Sequence, residues 1–324
     1  MDEFSLIQQF FSAAAINNGV VLGIGDDTAI IKAVEGEELL FTCDTLISGV
    51  HFPVDTDPYA IAYKALAVNL SDIAAMGGQA RWFTLALSLP EADPDWLEGF
   101  SNGLFALANQ FAVSLVGGDT TRGALSITIS VIGTIAEGQA IRRSGAKPGD
   151  DIIVTGMPGI AALALAELQG SIKQAEADSV SSRSKLDFPQ PRLLEGQFLR
   201  SYASSMIDIS DGLAADLGHI LQASGCGAIL DTDLLLESHY TDMQLPADRI
   251  IDSILYGGDD YELLFTVPGA LTPMLMKSWD LTFPALTKIG EITAGEDLKI
   301  LDSSGNVIDI ALHGYNHFHD RKKQ

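Results

Sequence analysis

The sequence predicts an α+β protein in which helices and mixed sheets are divided between two domains. Its 324 residues are 47% hydrophobic, with a mean hydropathy of +0.22, so the chain can bury a large core. Strand-like runs alternate with helical patterns, but several connections are too short for a full crossover, which favours mixed sheets over a doubly wound parallel sheet. The sequence predicts a domain boundary near Gly138, followed by a Pro- and Gly-bearing turn at 146–150. The domains are therefore predicted at 1–137 and 138–324.

One helix organises the N-terminal domain, and the sequence predicts it over residues 58–76. Asp57 can cap it, a proline suits its first turn, and a glycine pair tolerates the left-handed exit. Ala, Leu, Val and Ile occupy nearly every position, which predicts burial on most of the circumference. Asn69 and Asp72 nevertheless lie in the middle, three residues apart and therefore on one face. Because an isolated buried carboxylate is costly, something must pair with Asp72.

The other elements of this domain follow from alternating or helical apolar patterns. They are a short amphipathic helix over 4–17, strands over 29–33, 38–43, 81–89, 113–116 and 125–135, and a helix over 94–110. The segment GGDTTRG at 117–123 is expected to be a turn whose backbone N–H groups can approach an anion. Gly23 and Gly25 do not make a dinucleotide fingerprint, because the third glycine is missing.

The C-terminal domain is predicted to mix short strands and helices. Strands are expected over 151–155, 205–209, 262–267, 288–291 and 299–301, and helices over 160–168, 191–199 and 212–224. The last of these helices is expected to be opened by Ser210 and Asp211. Residues 170–187, rich in serine and charge, are expected to form a loose surface segment.

Carboxylates recur just after apolar runs or beside glycine, a setting that suggests inward-pointing site residues. Two unit charges separated by about 4 Å interact by roughly 4 kcal/mol near a protein surface, so gathering several carboxylates requires cations. Cysteine and histidine are scarce, which leaves oxygen donors that select Mg²⁺ before Ca²⁺ when the partner is a phosphate. The acids in this setting are Asp26, Asp27, Asp44, Asp119, Asp208, Asp211, Asp259, Asp260 and Glu262.

Charge and composition exclude several classes of partner. The formal net charge of −24 argues against nucleic acid and anionic membranes, and it implies that a phosphate-bearing ligand arrives with metal ions. No apolar stretch reaches the ~18 residues of a membrane span, and the first residues lack signal-peptide features. Two cysteines make no disulfide framework, so a reducing cytoplasm is expected. Because P-loop, HExxH, GxSxG and protein-kinase motifs are missing, phosphate chemistry would need another scaffold.

A set of motifs, taken in chain order, resembles the thiamine-monophosphate kinase family. They are GIGDDTAI, CDTLISGVHF, YKALAVNLSDIAAMGG, GGDTTRG, RSGAKPGD, IDISDGLAADLGHI and GGDDYELLFT, which span nearly the whole chain. This family belongs to an ATP-binding superfamily with aminoimidazole ribonucleotide synthetase and selenophosphate synthetase. The resemblance implies a two-domain PurM-like fold, a homodimer formed through the N-terminal sheet, and ATP-dependent phosphorylation of thiamine monophosphate to thiamine diphosphate.

The resemblance also implies roles for individual residues. Several Mg²⁺ ions and the co-substrate ATP are implied, with transfer driven by metal and position rather than by a catalytic side chain. The implied metal positions are Asp27, Thr42, Cys43, Asp44, Asp72, Asp119, Asp208 and Asp211. The implied ATP contacts are Gly118, Asp119, Arg143 and Ser210, and the implied contacts to thiamine monophosphate are His51, Glu262 and Tyr315.

One departure from the family pattern lies just before Asp44, where Ser or Thr pairs are expected and this chain has Thr42 and Cys43. A cysteine thiol is a poor ligand for Mg²⁺. If the ligand at this position is the backbone carbonyl, the change is harmless, and we favour that interpretation.

Two other classes of function stay open on the sequence. Another ATP-dependent synthetase of the same superfamily would share the nucleotide site, although the first residues lack the cysteine that a selenophosphate synthetase uses. A non-enzymatic metal-binding protein would share the acids but not GGDTTRG together with Arg143. Turnover of ATP separates these classes.

Overall fold

The computed structural model describes residues 3–12, 19–24, 28–172, 183–236, 240, 243, 245–302 and 304–308. The chain divides into two compact units. The first unit comprises Met1–Ala140 with Asp187–Phe198, and the second comprises Ile141–Leu186 with Leu199–Gln324. Two of the predicted site residues, Asp27 and Tyr315, lie outside the described residues.

The first unit contains one four-stranded sheet and the helices that pack on it. Its elements are α1 (Glu3–Phe10), β1 (Val20–Leu22), β2 (Ile30–Ile31), β3 (Glu37–Ile47), α2 (Pro58–Ala75), β4 (Gln79–Leu89), α3 (Pro94–Gln110), β5 (Ser114–Arg122) and β6 (Ser126–Ala136). The sheet has the order β3-β6-β4-β5, and only β4 and β5 pair in parallel. Strands β1 and β2 form a separate antiparallel pair. The mixed sheet confirms the predicted fold class.

Helix α2 confirms the prediction made from its caps and its apolar composition. The Asp57 side chain accepts a hydrogen bond from the backbone N–H of Tyr59 at 2.9 Å, which satisfies one of the unpaired donors of the first turn. The helix packs against α3 on one side and against β3, β6 and β4 on the other. From Ala60 to Ala75 every residue is buried except Asp72. Beyond the first two residues of the helix, therefore, the Asp72 carboxylate alone remains partly accessible.

The prediction of a turn at GGDTTRG was wrong. Residues 117–122 belong to β5, an edge strand that pairs in parallel with β4. Gly118 is required there by close approach, because a Cβ at this position would lie 1.9 Å from the carbonyl oxygen of Leu85. The glycines therefore serve strand pairing. Sequence alone could not distinguish this use from a turn, because the contact with β4 is distant along the chain.

The second unit is built on a seven-stranded mixed sheet. Its elements are β7 (Asp150–Thr155), α4 (Ile160–Leu168), α5 (Arg183–Asp187), α6 (Leu193–Leu199, which begins in the first unit), β8 (Ser205–Asp208), α7 (Leu213–Ser224), β9 (Gly227–Asp231), α8 (Thr232–Leu236), α9 (Ala247–Tyr256), β10 (Leu263–Pro268), α10 (Thr272–Ser278), β11 (Leu286–Thr293), β12 (Leu298–Leu301) and β13 (Val307–Ile308). The strand order is β13-β12-β9-β11-β7-β10-β8. The core is formed by β7, β8, β10 and β11 with the apolar faces of α4, α7 and α9.

Two predictions for this unit need correction. Helix α7 is preceded by Gly212, and no side chain caps it, so Ser210 and Asp211 do not open the helix as cap residues. The loose segment predicted over 170–187 ends in helix α5, and residues 173–182 of it lie outside the described residues. Across the described ranges, no helix is both long and apolar enough to cross a membrane.

Candidate active site

The first unit brings two of the predicted metal ligands, Asp44 of β3 and Asp72 of α2, into side-chain contact. The Thr42 hydroxyl donates a hydrogen bond to Oδ2 of Asp72 at 2.5 Å. The backbone N–H of Asp44 donates to Oδ1 of Asn69 at 3.1 Å, and the amide of Asn69 donates to the carbonyl of Ala65 at 3.1 Å. The spacing that places Asn69 and Asp72 on one helix face therefore joins both of them to β3. We name Thr42, Asp44, Asn69 and Asp72 the β3–α2 cluster.

The pKa of Asp44 in this cluster is raised by burial and by the neighbouring Asp72. Burial, the charge of Asp72 and the hydrogen bond to Asp72 together raise the pKa of Asp44 to about 6. Burial and the charge of Asp72 thus disfavour the ionised form of Asp44, and a cation or a proton beside the pair would offset both effects. Within the ranges that the structure describes, no group of three or more His, Cys, Asp and Glu side chains is placed to hold a metal.

Cys43 lies on the other face of β3. Successive side chains of a strand point to opposite faces, and Thr42 and Asp44 point toward α2. Cys43 is exposed, as are Phe41 and Leu39, two and four residues before it. The thiol thus points away from Asp72. The backbone of Cys43 is therefore the part of this residue that is available to the β3–α2 cluster.

Asp119 and Gly118 lie at the far edge of the same sheet. The strand registers align Asp44, Ile129, Leu85 and Gly118 in one row across β3, β6, β4 and β5. Three strand spacings separate β3 from β5 by about 14 Å. Asp119 on β5 is therefore distant from the β3–α2 cluster across the sheet. Asp119 itself is exposed.

The ring of His51, just beyond β3, is oriented by a hydrogen bond from the backbone of the last residue of that strand. Its Nδ1 accepts a hydrogen bond from the N–H of Ile47 at 2.9 Å, so a neutral ring carries its proton on Nε2. The buried Lys64 of α2 donates to the His51 carbonyl at 3.5 Å. The ring therefore has a fixed tautomer, with Nε2–H as its donor.

In the second unit the predicted ligands follow β8. Asp208 is buried at the end of that strand, and Ser210 and Asp211 form the turn before α7. Both backbone N–H groups of this turn donate to Oδ2 of Asp216, at 3.0 Å from Ser210 and 3.1 Å from Asp211. We name residues 209–212 the β8–α7 turn.

Asp216 is 2% exposed and was not anticipated as a site residue. Burial raises its pKa to about 7, partly opposed by the two backbone hydrogen bonds; the charge of Asp211 raises it further, and that of Arg143 lowers it. Arg143, exposed in the same unit, is therefore close enough to act on this carboxylate. The signal in the sequence was the one used for Asp72, an acid inside an Ala- and Leu-rich helix.

Glu262 is buried at the start of β10. The Thr155 hydroxyl donates to its Oε2 at 2.6 Å and accepts from the N–H of Leu263 at 2.9 Å. Gly156 leaves room for this carboxylate, because a Cβ there would lie 2.2 Å from Oε1 and its φ is +61°. Thr155 is thus a second polar residue of the site that sequence reasoning missed, since only the pairing of β7 with β10 brings it to Glu262.

Comparisons with known proteins agree with the motifs. Residues 25–135 match the AIR synthase related protein N-terminal domain, and residues 147–303 match the C-terminal domain of the same family. A thiamine-monophosphate kinase of Escherichia coli strain K12 is 47% identical over 322 residues, which cover 98% of each chain. A crystal structure of thiamine-monophosphate kinase from Stenotrophomonas maltophilia K279a superimposes with a TM-score of 0.80 and 46% identity, over 88% of this chain and 92% of that one. A structure of AaThiL in complex with AMPPCP and TMP gives a TM-score of 0.74 and 29% identity, over 91% and 92% of the two chains.

Proposed function

Since the chain belongs to the thiamine-monophosphate kinase family, we propose that it transfers the γ-phosphoryl group of ATP directly and in line to thiamine monophosphate, with several Mg²⁺ ions held by its carboxylates. The observation that carries this proposal is the contact between Asp44 and Asp72 in the β3–α2 cluster. Two carboxylates that repel each other, with a threonine hydroxyl beside them, form an oxygen donor set that suits Mg²⁺.

The proposed Mg²⁺ ligands are the acids of both units and the threonine of the cluster. Bound Mg²⁺ would neutralise the charge that develops on the phosphoryl oxygens. Cys43 would contribute its carbonyl oxygen, because its thiol lies on the opposite face of β3. The proposed side-chain ligands are Asp27, Thr42, Asp44, Asp72, Asp119, Asp208 and Asp211.

The two substrates differ in what they require from the chain. ATP needs cationic and backbone partners for its phosphates, and we assign these roles to Gly118, Arg143 and Ser210, with Asp119 reaching the nucleotide through metal. Thiamine monophosphate carries a cationic ring, an aminopyrimidine and a phosphate. Glu262 offers a buried acceptor, His51 offers an Nε2–H donor, and Tyr315 is retained as the aromatic partner from the family resemblance.

The chemistry explains why no general base is proposed. The acceptor phosphate has a second pKa of about 6, so it is largely ionised near pH 7 and needs no deprotonation. One of its oxygens forms the new bond to the γ-phosphorus, while the bond to the bridging oxygen of ADP breaks. What the residues must supply is orientation of two polyanions and compensation of their charge.

A homodimer is proposed through the open face of the first sheet. Leu39, Phe41 and Ile47 are 60%, 70% and 42% exposed on the face of β3 that points away from α2. Apolar residues exposed together on a sheet mark an interaction surface, and the family resemblance favours a second copy of this chain as the partner. A molar mass of one chain at micromolar concentration, measured by light scattering, would oppose this assignment.

We also assign the protein to the cytoplasm. Both cysteines are free thiols, and Cys43 is exposed, which suits a reducing compartment. ATP as co-substrate agrees with that location.

The function is tested by ³¹P NMR of the purified chain with ATP, Mg²⁺ and thiamine monophosphate. The expected result is the appearance of ADP and thiamine diphosphate resonances in equal amounts. Release of inorganic phosphate without thiamine diphosphate would favour another synthetase of the superfamily. No ATP turnover under any condition would favour a metal-binding protein without enzymatic activity.

A further inference from the structure

We infer that Asp216 is a positioning residue that holds the β8–α7 turn in the conformation that binds MgATP. This inference rests on the proposed function, because that function assigns Ser210 to ATP and Asp211 to metal. Asp216 itself lies inside α7, is almost fully buried, and has no assigned role in ligand binding.

The contacts of Asp216 show how it acts on the turn. One carboxylate oxygen, Oδ2, accepts the N–H groups of both Ser210 and Asp211, at 3.0 and 3.1 Å. Hydrogen bonds from backbone N–H to a carboxylate are charge-assisted and therefore stronger than bonds between neutral groups. A single buried atom thus fixes the peptide orientation of two consecutive residues.

The opposite side of the turn is held by the backbone alone. The N–H of Asp259 donates to the Ser210 carbonyl at 3.0 Å, and the N–H of Tyr261 donates to the Ile209 carbonyl at 2.8 Å. Both donors have positive φ, +69° for Asp259 and +52° for Tyr261, which non-glycine residues rarely adopt. The carbonyls of Ile209 and Ser210 are therefore fixed by a constrained loop, and the N–H groups of Ser210 and Asp211 by Asp216.

This arrangement separates the capping task from the ligand-binding task. A serine or aspartate just before a helix commonly uses its own side chain as the cap. Here Gly212 precedes α7 without a side-chain cap, and the acid that satisfies the N–H groups comes from within the helix. The conformation of the residues that carry the proposed ligand contacts is thus set by an acid outside the turn.

The test compares Asp216→Ala with Asp216→Asn in the full-length chain. Asparagine keeps an oxygen at the acceptor position and alanine removes it. We expect alanine to raise KM for MgATP by about tenfold or more, with kcat and KM for thiamine monophosphate changed by less than about threefold. We expect asparagine to restore KM to within about threefold of the wild-type value.

A second readout needs neither metal nor turnover. Hydrogen exchange of the peptide covering residues 208–213 is measured by mass spectrometry in nucleotide-free protein with EDTA. We expect about tenfold faster exchange in Asp216→Ala and near wild-type exchange in Asp216→Asn. Asp216→Leu, which keeps the shape of the side chain but has no acceptor, gives the same comparison if the alanine variant does not fold.

Leu221→Ala is the matched control, because Leu221 is a buried core residue about two turns beyond the start of the same helix. It should lower the melting temperature without raising KM for MgATP. The inference is overturned if Asp216→Ala leaves both KM and exchange unchanged, or if Leu221→Ala reproduces both effects. Wild-type protein that makes no thiamine diphosphate would refute the proposed function instead, and the exchange data would still decide whether Asp216 holds the turn.

Discussion

In the first unit the carboxylates of Asp44 and Asp72 contact each other, whereas in the second unit those of Asp216 and Asp260 contact backbone N–H groups. In the first arrangement burial, together with Asp72, raises the pKa of Asp44. Acids of the second kind are already satisfied and hold loops in place. We therefore propose Asp44 and Asp72, whose side chains contact each other, as metal ligands, whereas burial and a raised pKa, as at Asp216, do not by themselves indicate one.

The two kinds of acid also lie on different scaffolds. Asp44 and Asp72 come from the middle of a long strand and the middle of a buried helix, so their separation is fixed by packed elements. Asp216 and Asp260 instead hold a turn and a helix start. The turn that Asp216 holds carries proposed ligand contacts at Ser210 and Asp211, which gives Asp216 an indirect part in the site.

The largest effect is expected for Asp72→Asn, which keeps the size of the side chain and removes one of the two charges of the pair. We expect kcat to fall by about a hundredfold or more, as found when a preorganised electrostatic contact is lost. Initial rates with saturating substrates measure it. Asp95→Asn, which removes a charge from the first turn of α3, is the control and should retain activity. A variant at position 72 with half of normal activity would refute its assignment as a ligand.

The first unit was largely predictable because its signals are local. Asp57, the following proline and the glycine pair marked α2 to within one residue of its observed end, and the spacing of Asn69 and Asp72 gave their shared face. The strand nature of GGDTTRG was not predictable, since Gly118 is required by the backbone of Leu85. The ring of Phe188 also packs edge-on against Tyr59 and Tyr63, with 6.1 and 5.3 Å between ring centroids. No local sequence pattern indicates contacts between residues so far apart in the chain.

A smaller effect is expected at Glu262, whose carboxylate is satisfied by Thr155 and is proposed to bind thiamine monophosphate. Glu262→Gln should raise KM for thiamine monophosphate by about tenfold, since 1.4 kcal/mol corresponds to a factor of ten, and should leave KM for ATP unchanged. Steady-state kinetics with each substrate varied gives both constants. Glu296→Gln, an exposed acid of the same unit, serves as control. Weaker ATP binding with normal thiamine monophosphate binding would reverse the assignment.

The dependence of the rate on Mg²⁺ concentration tests the acids of the β3–α2 cluster. If the β3–α2 cluster holds Mg²⁺ beyond the ion that accompanies ATP, the rate should keep rising several-fold after total Mg²⁺ exceeds total ATP. A titration of Mg²⁺ at fixed ATP measures this. A rate that saturates at equal concentrations would argue against additional metal ions.

The acids of the second unit were the least predictable part of the site. In the sequence Asp216 is an acid within a helix, and its role depends on a turn that precedes the helix. Thr155 and Glu262 are 107 positions apart and meet only because β7 pairs with β10. Composition and setting identified Glu262 but not Asp216, and the tertiary structure decided which groups each of them contacts.

The smallest effect is a pH-dependent difference in stability at Asp260. Its carboxylate accepts a hydrogen bond from the N–H of Gly159 at 2.7 Å, and burial raises its pKa well above the usual value of an aspartate. The folded state therefore binds this proton more tightly than the unfolded state, so the contribution of Asp260 to stability falls as pH rises above about 4. The free energy of unfolding of Asp260→Asn, minus that of the wild-type protein, should be larger at pH 8 than at pH 5. Urea unfolding of both proteins at both pH values measures this difference. A difference that does not change with pH would contradict the assignment.

The most direct test of the central claim is the melting temperature of Asp72→Asn at pH 8, in EDTA and in Mg²⁺. If Asp44 and Asp72 form an incomplete cation site, removing one charge relieves repulsion, and the variant should melt in EDTA at the wild-type temperature or above it. Mg²⁺ should then raise the melting temperature of the wild-type protein and not that of the variant. A decrease in EDTA of more than about 4 °C, which corresponds to roughly 1 kcal/mol or more, would show that Asp72 is structural and would contradict the account.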